Sequence, residues 1–117
     1  MRNNFYSAAI VVVALQLVCS PLVFALSPSK IELIYDDKAK VLHISLEHIT
    51  KDPRRHYIRK ITVTKNNEKP MEFHYSSQPT TSSLSQDVSI ELKAKDTIAV
   101  TAICNKAGRK TETLKIK

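Results

Sequence analysis

Apolar and polar residues alternate in this chain over short stretches. In residues 41–49, Leu42, Ile44 and Leu46 fall on one face of the chain, and the intervening residues 43, 45 and 47 are polar. A period of two is typical of a β-strand with one buried face. Similar patterns recur at residues 31–35, 57–64, 71–75, 88–92, 98–104 and 114–116. The pattern therefore predicts about seven short strands.

Turn-forming residues separate most of these strands. They are Asp36-Asp37, Asn66-Asn67, Lys95-Asp96 and the stretch 105–108, which contains the chain's single glycine. Residues 76–86, rich in serine and threonine, predict one long loop that is either partly helical or mobile. Short strands joined by such turns predict an all-β fold, an immunoglobulin-like antiparallel β-sandwich of about seven strands.

Residues 1–25 follow a different pattern. Arg2 precedes an apolar run over residues 8–18, and Val23-Phe24-Ala25 resembles a signal-peptidase site. We therefore predict a signal peptide over residues 1–25 and a domain over residues 26–117. The apolar run is short for a membrane span of about 20 residues. We expect a periplasmic or secreted protein without a stable membrane span after cleavage, the alternatives being an uncleaved anchor or lipidation at Cys19.

The charge is basic, and removal of Arg2 would lower the formal net charge from +7 to +6. A basic exported domain either steers anions or is simply kept soluble by its charge. Scattered basic residues and an aromatic content of 6% argue against a nucleic-acid partner. A single glycine excludes a glycine-rich phosphate loop, and no serine lies in a nucleophile elbow.

Cysteine usage narrows the chemistry further. The chain has two cysteines, and cleavage would leave only Cys104, so no internal disulfide could form. A single thiol in an oxidising compartment is unusual. It is buried and inert, paired between chains, or bound to a metal.

Three candidate metal ligands are expected to converge. His48 shares the buried parity of its strand, Cys104 shares that of residues 98–102, and His56 is expected to begin the strand at residues 57–64. All three would then lie at strand ends near one end of the sandwich. Thiolate and imidazole donors suit iron, copper or zinc.

Each candidate also has a purely structural interpretation. His48 could be a core histidine, His56 could cap its loop, and Cys104 could be a small buried hydrophobe. A blue-copper site is disfavoured because no histidine or methionine follows Cys104. His43 and His74 share the parity of polar neighbours, so we expect them to face solvent.

The sequence around these residues resembles a known family. His48, the run His56-Tyr57-Ile58 and the later Cys104-Asn105 with Gly108 are similar to the ferrous-iron domain of desulfoferrodoxin and superoxide reductase. The resemblance extends from about residue 31 to 116. It implies an oxidoreductase that binds Fe²⁺ through His48, His56 and Cys104, with the Cys104 thiolate as axial ligand.

The ligand set is incomplete relative to that family. Ala107 stands where the family has a histidine three residues after the cysteine, and residues 27–30 supply no histidine near the expected N-terminus. The earlier histidine match, His48, is displaced by two positions. The resemblance nevertheless implies superoxide as substrate, with Lys51 steering the anion, and superoxide or an electron-donor protein as partner.

A second resemblance indicates a different function. Residues 57–67, Asp96-Thr97 and the turn at 105–108 also look like the immunoglobulin-like partner subunit of thiosulfate-oxidising systems. That alternative implies a non-catalytic interaction module without a metal. Its working surface would be an edge strand.

Overall fold

Seven β-strands in two sheets make up residues 28–117, the part of the chain that the computed structural model describes. The strands are β1 (Lys30–Asp36), β2 (Val41–Glu47), β3 (Ile58–Lys65), β4 (Met71–His74), β5 (Ser83–Ser89), β6 (Thr97–Cys104) and β7 (Arg109–Lys115). The predicted signal peptide over residues 1–25, its cleavage site and Cys19 lie outside the described residues.

The strands form a three-stranded sheet in the order β1-β2-β5 and a four-stranded sheet in the order β4-β3-β6-β7. All neighbouring strands are antiparallel. This confirms the predicted all-β fold, and the arrangement is consistent with an immunoglobulin-like sandwich. None of the described residues belongs to a helix that could cross a membrane.

The core lies between the two sheets and follows the predicted alternation. Strand β2 contributes Leu42, Ile44 and Leu46, and β6 contributes Ile98, Val100 and Ala102, all buried. Complete burial of a leucine, isoleucine or valine side chain contributes about 1.5–3 kcal/mol. The inward faces of β2 and β6 therefore make a large contribution to holding the sheets together.

The four predicted turns all connect consecutive strands. Three turn residues other than glycine have positive φ angles: Lys40 (57°), Asn66 (53°) and Lys95 (72°). Gly108 has a φ of 89° in the β6–β7 turn, a conformation that glycine adopts without steric cost. This turn directly follows Cys104, so its geometry helps to define the position of the sulfur.

Strand β5 lies earlier in the chain than its apolar pattern predicts. The expected strand at residues 88–92 and the expected loop at 76–86 are both wrong in their boundaries, because β5 spans Ser83–Ser89. Gln86 takes an inward position opposite Ile44 and accepts a hydrogen bond from the Tyr75 hydroxyl. Because this polar pair takes the place of an apolar contact, the first half of β5 does not show the usual alternation of apolar and polar residues. The loop before β5 contains no helix.

A β-bulge interrupts the pairing of β3 with β6. Ile58 is opposite Cys104, whereas Lys60 is opposite Ile103, so Arg59 is the extra residue. The bulge reverses the parity of the strand, which explains why both Ile58 and Ile61 are fully buried. It also aligns the segment before β3 with the end of β6.

Candidate metal centre

The structure brings the three predicted metal ligands together. His48 follows β2, His56 lies in the loop before β3, and Cys104 ends β6. A ring nitrogen from each histidine and the Cys104 Sγ lie within 4.8 Å of one another. His48 follows a strand of the three-stranded sheet, whereas Cys104 ends one strand of the four-stranded sheet and His56 precedes another. The cluster therefore spans both layers at one end of the sandwich.

His48 is held inside by the backbone that follows β2. The His48 amide donates to the Ser82 carbonyl over 2.9 Å, and the Thr50 amide donates to the Thr81 carbonyl over 2.8 Å. These bonds continue the contact between β2 and the segment before β5 beyond the regular strands. The inward parity of β2 therefore persists at His48, whose side chain is fully buried.

The two ring nitrogens of His48 have different environments. Nδ1 lies 2.9 Å from Gln78 Oε1. Nε2 is buried without a hydrogen-bond partner, and among the described residues it is the one such side-chain atom. An unsatisfied buried polar atom typically costs about 1–3 kcal/mol. A metal ion that accepted the Nε2 lone pair would provide the missing interaction.

His56 lies in a tight turn rather than at the start of a strand. The expectation that His56 begins β3 is wrong, because β3 starts at Ile58. The Asp52 carbonyl accepts bonds from the amides of Arg55 (3.1 Å) and His56 (2.9 Å). The Asp52 carboxylate also accepts the Arg54 amide over 3.1 Å. This turn folds the chain back so that the His56 side chain reaches the end of β6.

Cys104 is buried, with 4% of its surface exposed. Its amide donates to the Gly108 carbonyl over 3.1 Å, which closes the β6–β7 turn. The Lys106 amide in that turn points at Sγ from 3.5 Å. The burial of the sulfur disfavours a disulfide to a second chain.

The contacts within the cluster suit metal coordination. His56 Nε2 lies 3.1 Å from Cys104 Sγ. Nitrogen and sulfur atoms bound to one ion at about 2.1 and 2.3 Å are about 3.1 Å apart when they meet at a right angle. The two imidazole rings lie edge to face, with centroids 4.8 Å apart and planes at 87°.

The cluster is buried at its base and opens at its rim. His48 and Cys104 are buried, whereas His56 is half-buried. The two loops that hold the site contain four exposed basic residues, namely Lys51, Arg54, Arg55 and Lys106, and a fifth, Arg109, begins β7 directly after the second loop. Asp52 is the acidic residue in these loops, and its carboxylate lies 3.7 Å from Arg55. The opening is thus bordered by a surplus of positive charge.

The other two histidines lie elsewhere, on the outer faces of the sheets. His43 Nδ1 is 2.7 Å from Asp87 Oδ1, and His74 Nε2 is 3.3 Å from Glu72 Oε1. Both side chains are exposed, as expected from their parity. Ala107 is exposed in the β6–β7 turn. Within residues 28–117, the cluster thus offers three protein ligands.

Two residues that support the site were not identified from the sequence. Gln78, 5% exposed, contacts His48 from the loop between β4 and β5. Asn105 joins the His56 loop to the β6–β7 turn through Tyr57. The serine- and threonine-rich surroundings of Gln78 gave no signal that its side chain is buried. Asn105 was noted as part of a turn and of the resemblance to ferrous-iron domains, but not as a residue that supports the site.

No protein-family model matches the chain, and no curated protein matches it. Among solved structures, the chain is similar to superoxide reductase (neelaredoxin) from Ignicoccus hospitalis, with a TM-score of 0.46, 16% identity, and coverage of 78% of this chain and 79% of that chain. One substituted variant of that protein gives a TM-score of 0.48 at 16% identity, with 78% of each chain covered. A second gives 0.47 at 15%, with 80% of each covered. Identities of 15–16% are too low to transfer ligand residues to this chain.

Proposed function

We propose that this protein binds a transition-metal ion, ferrous iron in the first place, through His48, His56 and Cys104. The observation that carries the proposal is the buried, unpartnered Nε2 of His48 in a cluster with a second imidazole and a thiol. Because burial of an unsatisfied nitrogen is unfavourable, its presence is best explained by a ligand that accepts its lone pair.

The donor set narrows the choice of metal. Two imidazoles and one thiolate suit iron, zinc or copper. Structural zinc sites use four protein ligands, whereas this cluster offers three, the number found in metal sites that keep an open position. Blue-copper sites combine two histidines and one cysteine with a weak axial methionine, and no methionine follows Cys104. The resemblance of the His56 and Cys104 segments to ferrous-iron domains therefore favours Fe²⁺.

We further propose a redox role of this site towards superoxide. Bound ferrous iron would supply one electron, which with two protons converts superoxide to hydrogen peroxide. Three protein ligands leave room for a small molecule at the site, and the half-buried side of the cluster at His56 gives access to it. The basic side chains of the two loops would attract an anion, with Lys51 as the candidate steering residue. The thiolate of Cys104 and the imidazole of His48 would hold the ion at the buried base.

Export is the third part of the proposal. The charged start, apolar run and small-residue end of residues 1–25 are typical of a cleaved signal peptide. Expression in a bacterial host, followed by intact-mass measurement of the periplasmic fraction, tests this directly. A mass that corresponds to a chain beginning at Leu26 is expected. A cytosolic product would contradict export, and an uncleaved product would contradict cleavage after Ala25, in both cases without affecting the metal site.

Metal binding is tested by loading the purified protein with Fe²⁺ without oxygen, removing loose metal and measuring the iron-to-protein ratio. We expect one iron per chain in the wild type and in the His43→Ala control, whose histidine is remote from the cluster. Cys104→Ala and His48→Leu should each lose the iron. Cobalt loading should produce a thiolate-to-metal absorption band in the wild type that Cys104→Ala lacks.

Failure of the wild type to retain iron, cobalt or zinc would overturn the metal-site proposal. It would leave the interaction module as the alternative. If iron is retained, mixing the ferrous protein with superoxide tests the redox role. Oxidation of the iron with formation of one hydrogen peroxide per iron is expected, and an unreactive ferrous site would contradict that role alone.

A further inference from the structure

Gln78 is buried in a loop whose neighbouring residues are exposed. Its side chain is 5% accessible, whereas Ser77 and Pro79 on either side lie at the surface. The backbone amide of Gln78 donates to the carbonyl of Pro53 over 2.9 Å, so the residue is anchored to the loop that holds His56. A glutamine side chain is rarely buried in this way unless both the oxygen and the nitrogen of its amide group form hydrogen bonds.

The hydrogen bonds of Gln78 determine how its side-chain amide is oriented. Nε2 lies 2.9 Å from the carbonyl oxygen of His48 and 3.0 Å from that of Thr80. Because a carbonyl oxygen can only accept, the NH₂ group must face these two atoms. The oxygen Oε1 therefore faces His48 Nδ1 at 2.9 Å, and it also accepts a longer bond of 3.4 Å from the Ile58 amide.

This orientation selects one tautomer of His48. Oε1 has no proton to donate, so the Nδ1 of His48 must carry the hydrogen that joins them. A neutral imidazole protonated at Nδ1 has its lone pair at Nε2. Nε2 is the buried nitrogen without a hydrogen-bond partner. The protein thus prepares an electron-pair donor before any ion binds.

We propose that Gln78 is the positioning residue of the metal site, a role that rests on the proposed metal binding. It accepts the Nδ1 proton of His48, and this fixes both the tautomer and the rotation of the ring with Nε2 available to the ion. Gln78 itself does not touch the metal. Partners of this kind typically change metal affinity about 10–100-fold when they are replaced.

Two substitutions separate the acceptor role of Gln78 from its role in holding the loop. Gln78→Met has a similar size but no donor and only a weakly accepting sulfur. Gln78→Glu keeps an oxygen opposite His48 Nδ1 while it replaces the amide nitrogen that bonds the two carbonyls. Thr80→Ala is the matched control, because the Thr80 hydroxyl accepts the Ser82 and Ser83 amides in the same loop without contacting His48.

The first measurement is the tautomer of His48 in the metal-free protein, from long-range proton–nitrogen NMR spectra of the ring. The wild type, Gln78→Glu and Thr80→Ala should show hydrogen on Nδ1, whereas Gln78→Met should show a shift towards hydrogen on Nε2. The second measurement is the dissociation constant for Co²⁺ as the probe ion. Gln78→Met should bind about 10–100-fold more weakly, and the other two variants should stay within a few-fold of the wild type.

Failure of this inference is distinguishable from failure of the proposed function. If Gln78→Met keeps hydrogen on Nδ1 and the wild-type affinity for Co²⁺, Gln78 is not a positioning residue even though the metal site exists. If Thr80→Ala weakens binding as much as Gln78→Met, loop anchoring explains the effect and the inference is overturned. If the wild type binds no metal, the proposed function fails, and the NMR comparison still decides whether Gln78 sets the tautomer.

Discussion

Asn105 and Tyr57 hold each other through two hydrogen bonds. The Tyr57 amide donates to Asn105 Oδ1 over 2.9 Å, and the Asn105 amide donates to the Tyr57 carbonyl over 3.0 Å. Asn105 Nδ2 also donates to the Arg55 carbonyl over 2.9 Å. Each of the paired residues directly follows a candidate ligand, His56 or Cys104. These bonds therefore fix the separation of the imidazole and the sulfur.

Asn105→Ala should uncouple these two ligands. The substitution leaves the Tyr57 amide and the Arg55 carbonyl without their side-chain partner, which should lower the free energy of unfolding by about 1–3 kcal/mol. Because His56 would no longer be held against Cys104, we also expect weaker metal binding. Urea denaturation and Co²⁺ titration measure the two effects.

Asn66→Gly is the control for the loss of stability alone. Asn66 bonds the Thr97 amide and the Asp96 carboxylate at the opposite end of β3. Glycine tolerates its positive φ of 53°, so the change removes the side chain without backbone strain. This variant should be destabilised but should bind metal normally. Equal metal affinity in the two variants would show that the Asn105 contacts do not organise the site.

A histidine at position 107 should strengthen the site. From the resemblance to ferrous-iron domains we predict that Ala107 is the position where an imidazole ligand is missing, and Ala107 lies in the turn directly after Cys104. A fourth protein donor should tighten Fe²⁺ and Co²⁺ binding by about tenfold or more, since ligand number contributes to metal selectivity and affinity. Lys106→His, one position away in the same turn, is the matched control. Identical affinities for both variants and the wild type would argue against the correspondence at position 107.

Asp96, which lies at the end of the sandwich remote from the cluster, should make the stability of the protein depend on pH. The Lys93 amide, at 2.8 Å from Oδ2, together with Asn66 Nδ2 and Lys65, holds the pKa of the Asp96 carboxyl below its usual value of 3.8. A lowered pKa in the folded state stabilises the protein above the ordinary pKa, and this contribution disappears as the pH falls through the folded value.

Asp96→Asn should therefore be less stable than the wild type at pH 7, and the difference should shrink as the pH drops below about 4. Urea denaturation of both proteins at several pH values measures it. A gap that stays constant down to strong acid would show that ionisation of Asp96 does not contribute. Metal binding at pH 7 should be unchanged, because Asp96 lies at the other end of β6 from Cys104.

Much of the fold could be predicted because its strands bury alternate apolar residues. Strand β6 is the clearest case, since Ile98, Val100, Ala102 and Cys104 are all buried. The turns at Asn66 and Gly108 could be predicted because asparagine and glycine adopt positive φ angles more easily than most other residues. Strand β5 escaped prediction at its start because Gln86 occupies an inward position, where only its contact with Tyr75 explains a polar side chain.

The candidate site could be predicted only in part. The inward position of His48 followed from the parity of β2, and the position of Cys104 followed from β6. The approach of His56 depends on the turn at Asp52 and on the bulge at Arg59, neither of which has a periodic signature. The contact between Gln78 and His48 joins residues 30 positions apart and leaves no trace in local sequence.

The origin of the three donors in opposite layers has a consequence for folding. In many β-sandwiches of this size a disulfide cross-links the chain, which lowers the conformational entropy of the unfolded state. Here the only thiol in the described residues lies beside two imidazole rings, one that follows a strand of the three-stranded sheet and one that precedes a strand of the four-stranded sheet. A bound ion would cross-link the two layers reversibly. Its removal would allow the sheets to separate at the end that holds the cluster, while the opposite end stayed packed. Chelators should therefore promote local unfolding that begins at the end of the sandwich with the cluster.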